Sequence, residues 1–128
     1  MPERALPDQV RTLQWPQVRT HYEDRVAADG RSFEPMLSLV RFLASSRYAS
    51  ALFPCPSDDV LRIGKAPDFT AGDNEIRIRF LAGSQQFEFS FFQRPDEMHP
   101  WSRECGASEW QPVLLRLLHK RLQWFHEG

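Results

Sequence analysis

A chain of 128 residues, 41% hydrophobic and 26% charged, has room for one buried core and too much apolar side chain to stay disordered. Its formal net charge of -1 supplies no overall pull toward nucleic acid or an anionic membrane, and apolar runs such as Val113 to Leu115 fall far short of the roughly 20 residues that span a bilayer. Two cysteines, Cys55 and Cys105, make no disulfide framework and read as reduced thiols, with a single bridge between them left open.

Residues 1–14, with two prolines and little periodicity, read as a flexible lead-in to a single domain over 15–128. The stretch MPERALPDQVRTLQW has charges and prolines where a signal peptide would be apolar, so a cytoplasmic location is expected. From Trp15, the set Trp15, Val18, Tyr22 and Val26 recurs at helical spacing, with Pro16 in the first turn and Asp29-Gly30 as a stop. A second helix is expected from Ser32 to about Ala51, on the stripe Phe33, Met36, Leu37, Val40, Leu43 and Ala44. It must end before FPCPSDD, whose prolines block helix continuation and favour extended geometry.

VLRIGK is a candidate strand with Leu61 and Ile63 inward and Arg62 outward. EIRIRFLAGSQQFEFSFF, residues 75–92, alternates cleanly enough to set its own register. A two-residue type II′ turn at Gly83-Ser84 pairs Phe80 with Phe87, Ile78 with Phe89 and Ile76 with Phe91 on one face. On the other face it pairs Arg79 with Glu88, Arg77 with Ser90 and Glu75 with Phe92; a slip of one residue would put apolar chains opposite polar ones. Residues 92–110 read as a long loop, and SEWQPVLLRLLHKRLQWF as a final helix with Ser108 and Gln111 at capping-box spacing. Its apolar side runs from Trp110 to Phe125, with Arg116, His119, Lys120 and Gln123 opposite. The expected fold class is α+β: an antiparallel meander sheet of three strands, or more, with the N-terminal and C-terminal helices packed on its Phe face.

Catalytic chemistry has little support. Cys105 lies six residues after His99 and just before a helix start, the one arrangement from which a thiol-dependent enzyme or small hydrolase could be drawn. The carboxylate pairs Asp58-Asp59 and Asp96-Glu97 flank strands and read as solvated loop charges. Neither His-x-x-x-His nor Cys-x-x-Cys occurs, and TAGDNE and LAGSQQ match no phosphate loop, so no metal or cofactor is expected. That leaves the outward face of the sheet. Its plainest use is a solvated surface with cross-strand ion pairs, Arg79 with Glu88 above all. Arg62, Arg77, Arg79, Glu88 and Phe92 on that face also have the makeup of a protein interface, and the loop at 92–110, with Trp101 and Arg103 suited to anchor a partner, is a second candidate surface. Mixed charge and aromatics on the inner face argue against a nucleic-acid partner. The expectation is a small protein-binding module, with an immunity-type or accessory role as its most concrete form.

Overall fold

The computed structural model describes residues 9–57 and 59–126, and of Arg31 the backbone alone. Among the described residues the chain forms three α-helices and a five-stranded antiparallel sheet, an α+β arrangement. The order is α1 (Trp15–Asp29), α2 (Glu34–Ala44), β1 (Phe53–Ser57), β2 (Val60–Gly64), β3 (Glu75–Leu81), β4 (Gln86–Phe92), β5 (Trp101–Gly106) and α3 (Trp110–Arg116). The strands pair in chain order, so the sheet is a plain meander with β1 and β5 at its edges. No helix among the described residues is long and apolar enough to cross a membrane.

α1 begins where Gln17 Oε1 accepts the Gln14 N–H at 2.9 Å. It stops at Gly30, whose φ of 84° is open to glycine and whose N–H reaches Val26 O at 2.7 Å. Trp15 donates its indole N–H to Leu52 O at 3.0 Å, tying α1 to the entry of β1. α2 is shorter than its apolar stripe suggests. The Ser45 and Ser46 hydroxyls donate to Arg41 O and Leu43 O, both at 2.8 Å, which satisfies terminal carbonyls and ends the helix at Ala44. Ser46 Oγ then accepts the Tyr48 N–H at 3.1 Å and starts a 3₁₀ turn, Arg47–Ser50.

Two of the five strands, β1 and β5, fall where no strand was expected. FPCPS pairs with β2 even though Pro54 and Pro56 lack an N–H. An edge strand has a side with no sheet partner, and prolines are tolerated there. Pro54 O instead accepts the Leu13 N–H at 2.8 Å. Of the lead-in over 1–14, residues 1–8 lie outside the described residues. Residues 9–13 run beside the loop after β2, with Val10 N–H on Phe69 O at 2.7 Å and Thr12 N–H on Asp68 Oδ1 at 2.9 Å. β5 lies within the stretch read as a loop and pairs with β4 from Phe91↔Trp101 to Gln86↔Gly106.

The central hairpin has the expected pairs, from Glu75↔Phe92 to Phe80↔Phe87. Its turn differs: four residues, Ala82 to Gln85, connect the strands, and Gln85 rather than Gly83 takes the left-handed conformation, with φ 55°. Register is unchanged because two-residue and four-residue loops preserve the same cross-strand partners. Leu61, Ile63, Ile76, Ile78, Phe80, Phe87 and Phe89 share one buried cluster with side chains of α1, α2 and α3.

The last helix also departs from expectation. No Ser108 capping box forms; Glu109 Oε1 accepts the Gly106 N–H at 3.0 Å instead. After Arg116 the helix widens into a π-helical turn, Leu117–Arg121, and then breaks, with Gln123 at φ 56°. This fold-back sets Trp124 against Phe91, 5.8 Å between ring centroids, and Phe125 against Tyr48 at 4.7 Å.

Gly64 marks a close approach. A Cβ there would fall inside the buried Phe69 ring. Gly64→Ala should therefore destabilise the protein by about 1 to 3 kcal/mol, the usual range for overpacking, in urea unfolding. Added to Phe69→Ala the same change should cost much less; equal costs in both backgrounds would mean that the ring is not what the methyl meets.

Candidate functional site

Alternation along β2, β3 and β4 sends Arg62, Glu75, Arg77, Arg79, Leu81, Glu88, Ser90 and Phe92 to the face opposite the core. Pairing sets Arg62 directly across from Arg77. Two guanidinium groups so placed repel, and the sequence answers with Glu75, two residues before Arg77 and on the same face. Arg77 donates from Nε to Glu75 Oε2 at 2.9 Å and from Nη2 to Oε1 at 3.2 Å. Arg62 makes the matching pair at 2.5 and 3.1 Å. The Gly72 N–H adds a third donor to Oε1 at 2.7 Å. Gly72 has φ 84°, and a Cβ there would strike the Pro95 backbone, so the loop reaches the carboxylate only with glycine.

Glu75 is 0% exposed, while Arg62 and Arg77 keep 22% and 35% of their side-chain surface. Burial alone would raise the Glu75 pKa. The donors on Arg62, Arg77 and Gly72 outweigh it and hold the carboxyl below its ordinary value. The Arg77 guanidinium also lies 4.1 Å from the Phe92 ring centroid, so Phe92 braces an arginine rather than standing free. Two guanidinium groups thus share one buried carboxylate.

The ion pair expected between Arg79 and Glu88 does not form, although the two residues face each other in register. Among the described residues Arg79 has no ion pair. The exposed Arg79 joins Arg62 and Arg77 in lining a cleft of about 860 Å³, together with Asp59, Val60 and Leu81. Asp59 is itself held by Arg25 Nη2 at 2.6 Å, a guanidinium it shares with Asp29. Asp58 lies outside the described residues.

Trp101 and Arg103 sit elsewhere. Opposite Phe91 and Phe89, they project from the other face of the sheet, at the β5 edge. Trp101 is partly buried against the core and carries Arg121 5.0 Å above its ring. The outer face and the stretch carrying Trp101 and Arg103, two candidate surfaces in the sequence, thus lie on opposite sides of the sheet.

Cys105 and His99 are not brought together. Cys105 faces Phe87 inside β5, whereas His99 is exposed before the strand begins. The strand from Trp101 to Cys105 alone spans about 13 Å. Burial, with Glu109 adding to it, pushes the Cys105 thiol up despite Arg103, which disfavours a thiolate. Burial also raises Cys55. Both thiols are free, and they stand in opposite edge strands, four inter-strand spacings or roughly 19 Å apart, beyond disulfide reach. Among the described residues no group of three or more His, Cys, Asp or Glu side chains could hold a metal ion.

One contact escaped the sequence reading. His119, assigned to the wet side of the last helix, is half-buried, with Nε2 2.6 Å from Tyr48 Oη and no partner for Nδ1. His119 lies in the π-helical turn, of which helical spacing carries no sign. Compared with known proteins, the chain matches no family model, and no curated protein and no solved structure shows a significant similarity to it.

Proposed function

We propose that this chain is a protein-binding module whose working surface is the outer face of the sheet, with the helices packed behind it on the Phe face. In this reading it acts in the cytoplasm in an immunity-type or accessory role, against a partner with an acidic surface. The observation that carries the reading is the arginine-lined cleft. Arg62 and Arg77 are fixed by a buried carboxylate, so little side-chain freedom is lost when a partner's carboxylates meet them. Arg79 stands beside them with no ion pair among the described residues, and Leu81 and Val60 supply apolar contact. Arginine and aromatic side chains are enriched at interfaces, and fixed positive charge steers an acidic partner into register.

The test is to isolate a partner from host lysate, identify it, and measure its affinity by calorimetry. Arg79→Glu should weaken binding by about tenfold or more, while Arg103→Glu, on the other surface, leaves it within about twofold. Unchanged affinity in Arg79→Glu would remove the outer face as the interface.

A further inference from the structure

A second concavity, of about 370 Å³, lies between β5 and the last helix. Its rim is basic: Arg103 comes from β5, Arg116 from α3, and Lys120 and Arg121 from the π-helical turn. Among the described residues the lining contains no acidic side chain. None of the four cations has an ion pair among the described residues. Glu104 and Glu109 border an adjoining depression that shares Arg103 and Arg116, and Glu109 is engaged with the Gly106 N–H. The floor is apolar, made by buried Val113 and Leu117 with the indole of Trp101 beside them.

The π-helical turn assembles this rim. On a regular α-helix, at about 100° per residue, Arg116 and Arg121 would point roughly 140° apart. Here Leu122 N–H reaches Leu117 O, five residues back, at 2.9 Å. A turn closed in this way brings residues five apart onto one side, and such turns recur at functional sites. Arg116, Lys120 and Arg121 consequently converge on a groove whose opposite wall is Arg103. Four like charges gathered with no ion pair among the described residues raise the free energy of the empty groove, and an anion entering it relieves that repulsion.

We propose that this groove binds a small phosphorylated ligand with a planar apolar part, of the nucleoside-diphosphate type. The guanidinium groups of Arg103 and Arg116 and the Lys120 ammonium take the phosphate oxygens. Trp101, Val113 and Leu117 take the planar part. The volume lies near the lower end of the roughly 300 to 1,000 Å³ of small-molecule pockets. The inference stands on residues apart from the outer-face cleft and does not rest on the function proposed above.

The test is calorimetric titration of the full chain with adenosine diphosphate and, separately, inorganic pyrophosphate. The variants are Arg116→Gln/Lys120→Gln, Trp101→Leu, and Arg79→Gln as a control on the other face, each checked by circular dichroism for an unchanged melting curve. Wild type should bind the nucleotide with a Kd of about 1 mM or tighter. The double variant should weaken both probes by about tenfold or more, since two charge-assisted contacts are lost. Trp101→Leu should weaken the nucleotide and spare pyrophosphate, and Arg79→Gln should change neither. Absence of binding by both probes, or binding lost in Arg79→Gln and kept in the double variant, overturns the proposal. Equal affinity for the two probes overturns its planar part.

Discussion

Phe89→Ala will lower the free energy of unfolding by about 3 to 5 kcal/mol, read from the midpoint and slope of a urea titration. Phe89 is fully buried in β4, flanked by Ile78 on β3 and Arg103 on β5. Its ring lies 6.0 Å from Phe87, which lies 4.8 Å from Phe80, which meets Phe33 at 6.0 Å. Truncation removes the apolar burial of one ring and leaves a cavity that its β-sheet neighbours cannot close. A domain of this size is stable by only about 5 to 15 kcal/mol, so the loss takes a large share of the total. Phe92→Ala, in the same strand and of the same chemistry, should cost only about 1 kcal/mol, because Phe92 is half-buried and rests on Arg77. Similar losses at both positions would contradict the division of the hairpin into a core face and an outer face.

That division was legible in the sequence because the hairpin carries its own constraint. Ile76, Ile78, Phe80, Phe87, Phe89 and Phe91 alternate with polar residues on both sides of a turn, and only one register keeps them together. The edge strands had no such pattern. β1 is punctuated by Pro54 and Pro56, and β5 sets Trp101, Arg103 and Cys105 on the side of three phenylalanines without forming an apolar stripe. Edge strands are stabilised on one flank only and commonly carry charge or proline, so their sequences resemble loops. The ends of α2 and of the last helix were misread because local hydrogen bonds decided them: serine hydroxyls on Arg41 and Leu43, and a π-helical turn at Leu117. Apolar periodicity is blind to both.

The outer face was legible as a composition and not as a network. Glu75, Arg62 and Arg77 could all be assigned to it, but the pairing of β2 with β3 comes through a loop of unpatterned residues, so the juxtaposition of Arg62 with Arg77 had no sequence signal. Alternation gave Glu88 as the partner of Arg79. The carboxylate that is buried and paired is Glu75, held between Arg62 and Arg77 and by the Gly72 N–H, while Arg79 makes no ion pair among the described residues.

Glu75→Ala will cost about 3 kcal/mol at pH 7, the lower end of what breaking a buried ion pair costs, because both arginines keep partial solvent contact. The loss comes less from missing attraction than from Arg62 and Arg77 left facing each other across the strand pair. Replacing the three together, Glu75→Met/Arg62→Met/Arg77→Leu, should therefore recover most of the stability, since apolar side chains of similar volume carry no desolvation penalty. The pH dependence follows from the same geometry. The folded pKa lies below the unfolded carboxylate value of about 4.3. The Glu75 contribution is thus complete above that value and is lost as pH falls through the folded pKa. Urea titrations from pH 7 downward should show the gap between wild type and Glu75→Gln constant at first, then narrowing below about pH 4. A gap that widens with acid would contradict the lowered pKa. Under the proposed function the same variant separates stability from binding: Glu75→Gln leaves the cleft more positive, so association with an acidic partner at low salt should accelerate while the fold weakens. If both fall together, Glu75 serves the interface by holding Arg62 and Arg77 in place, and the order of the arginines outweighs their charge.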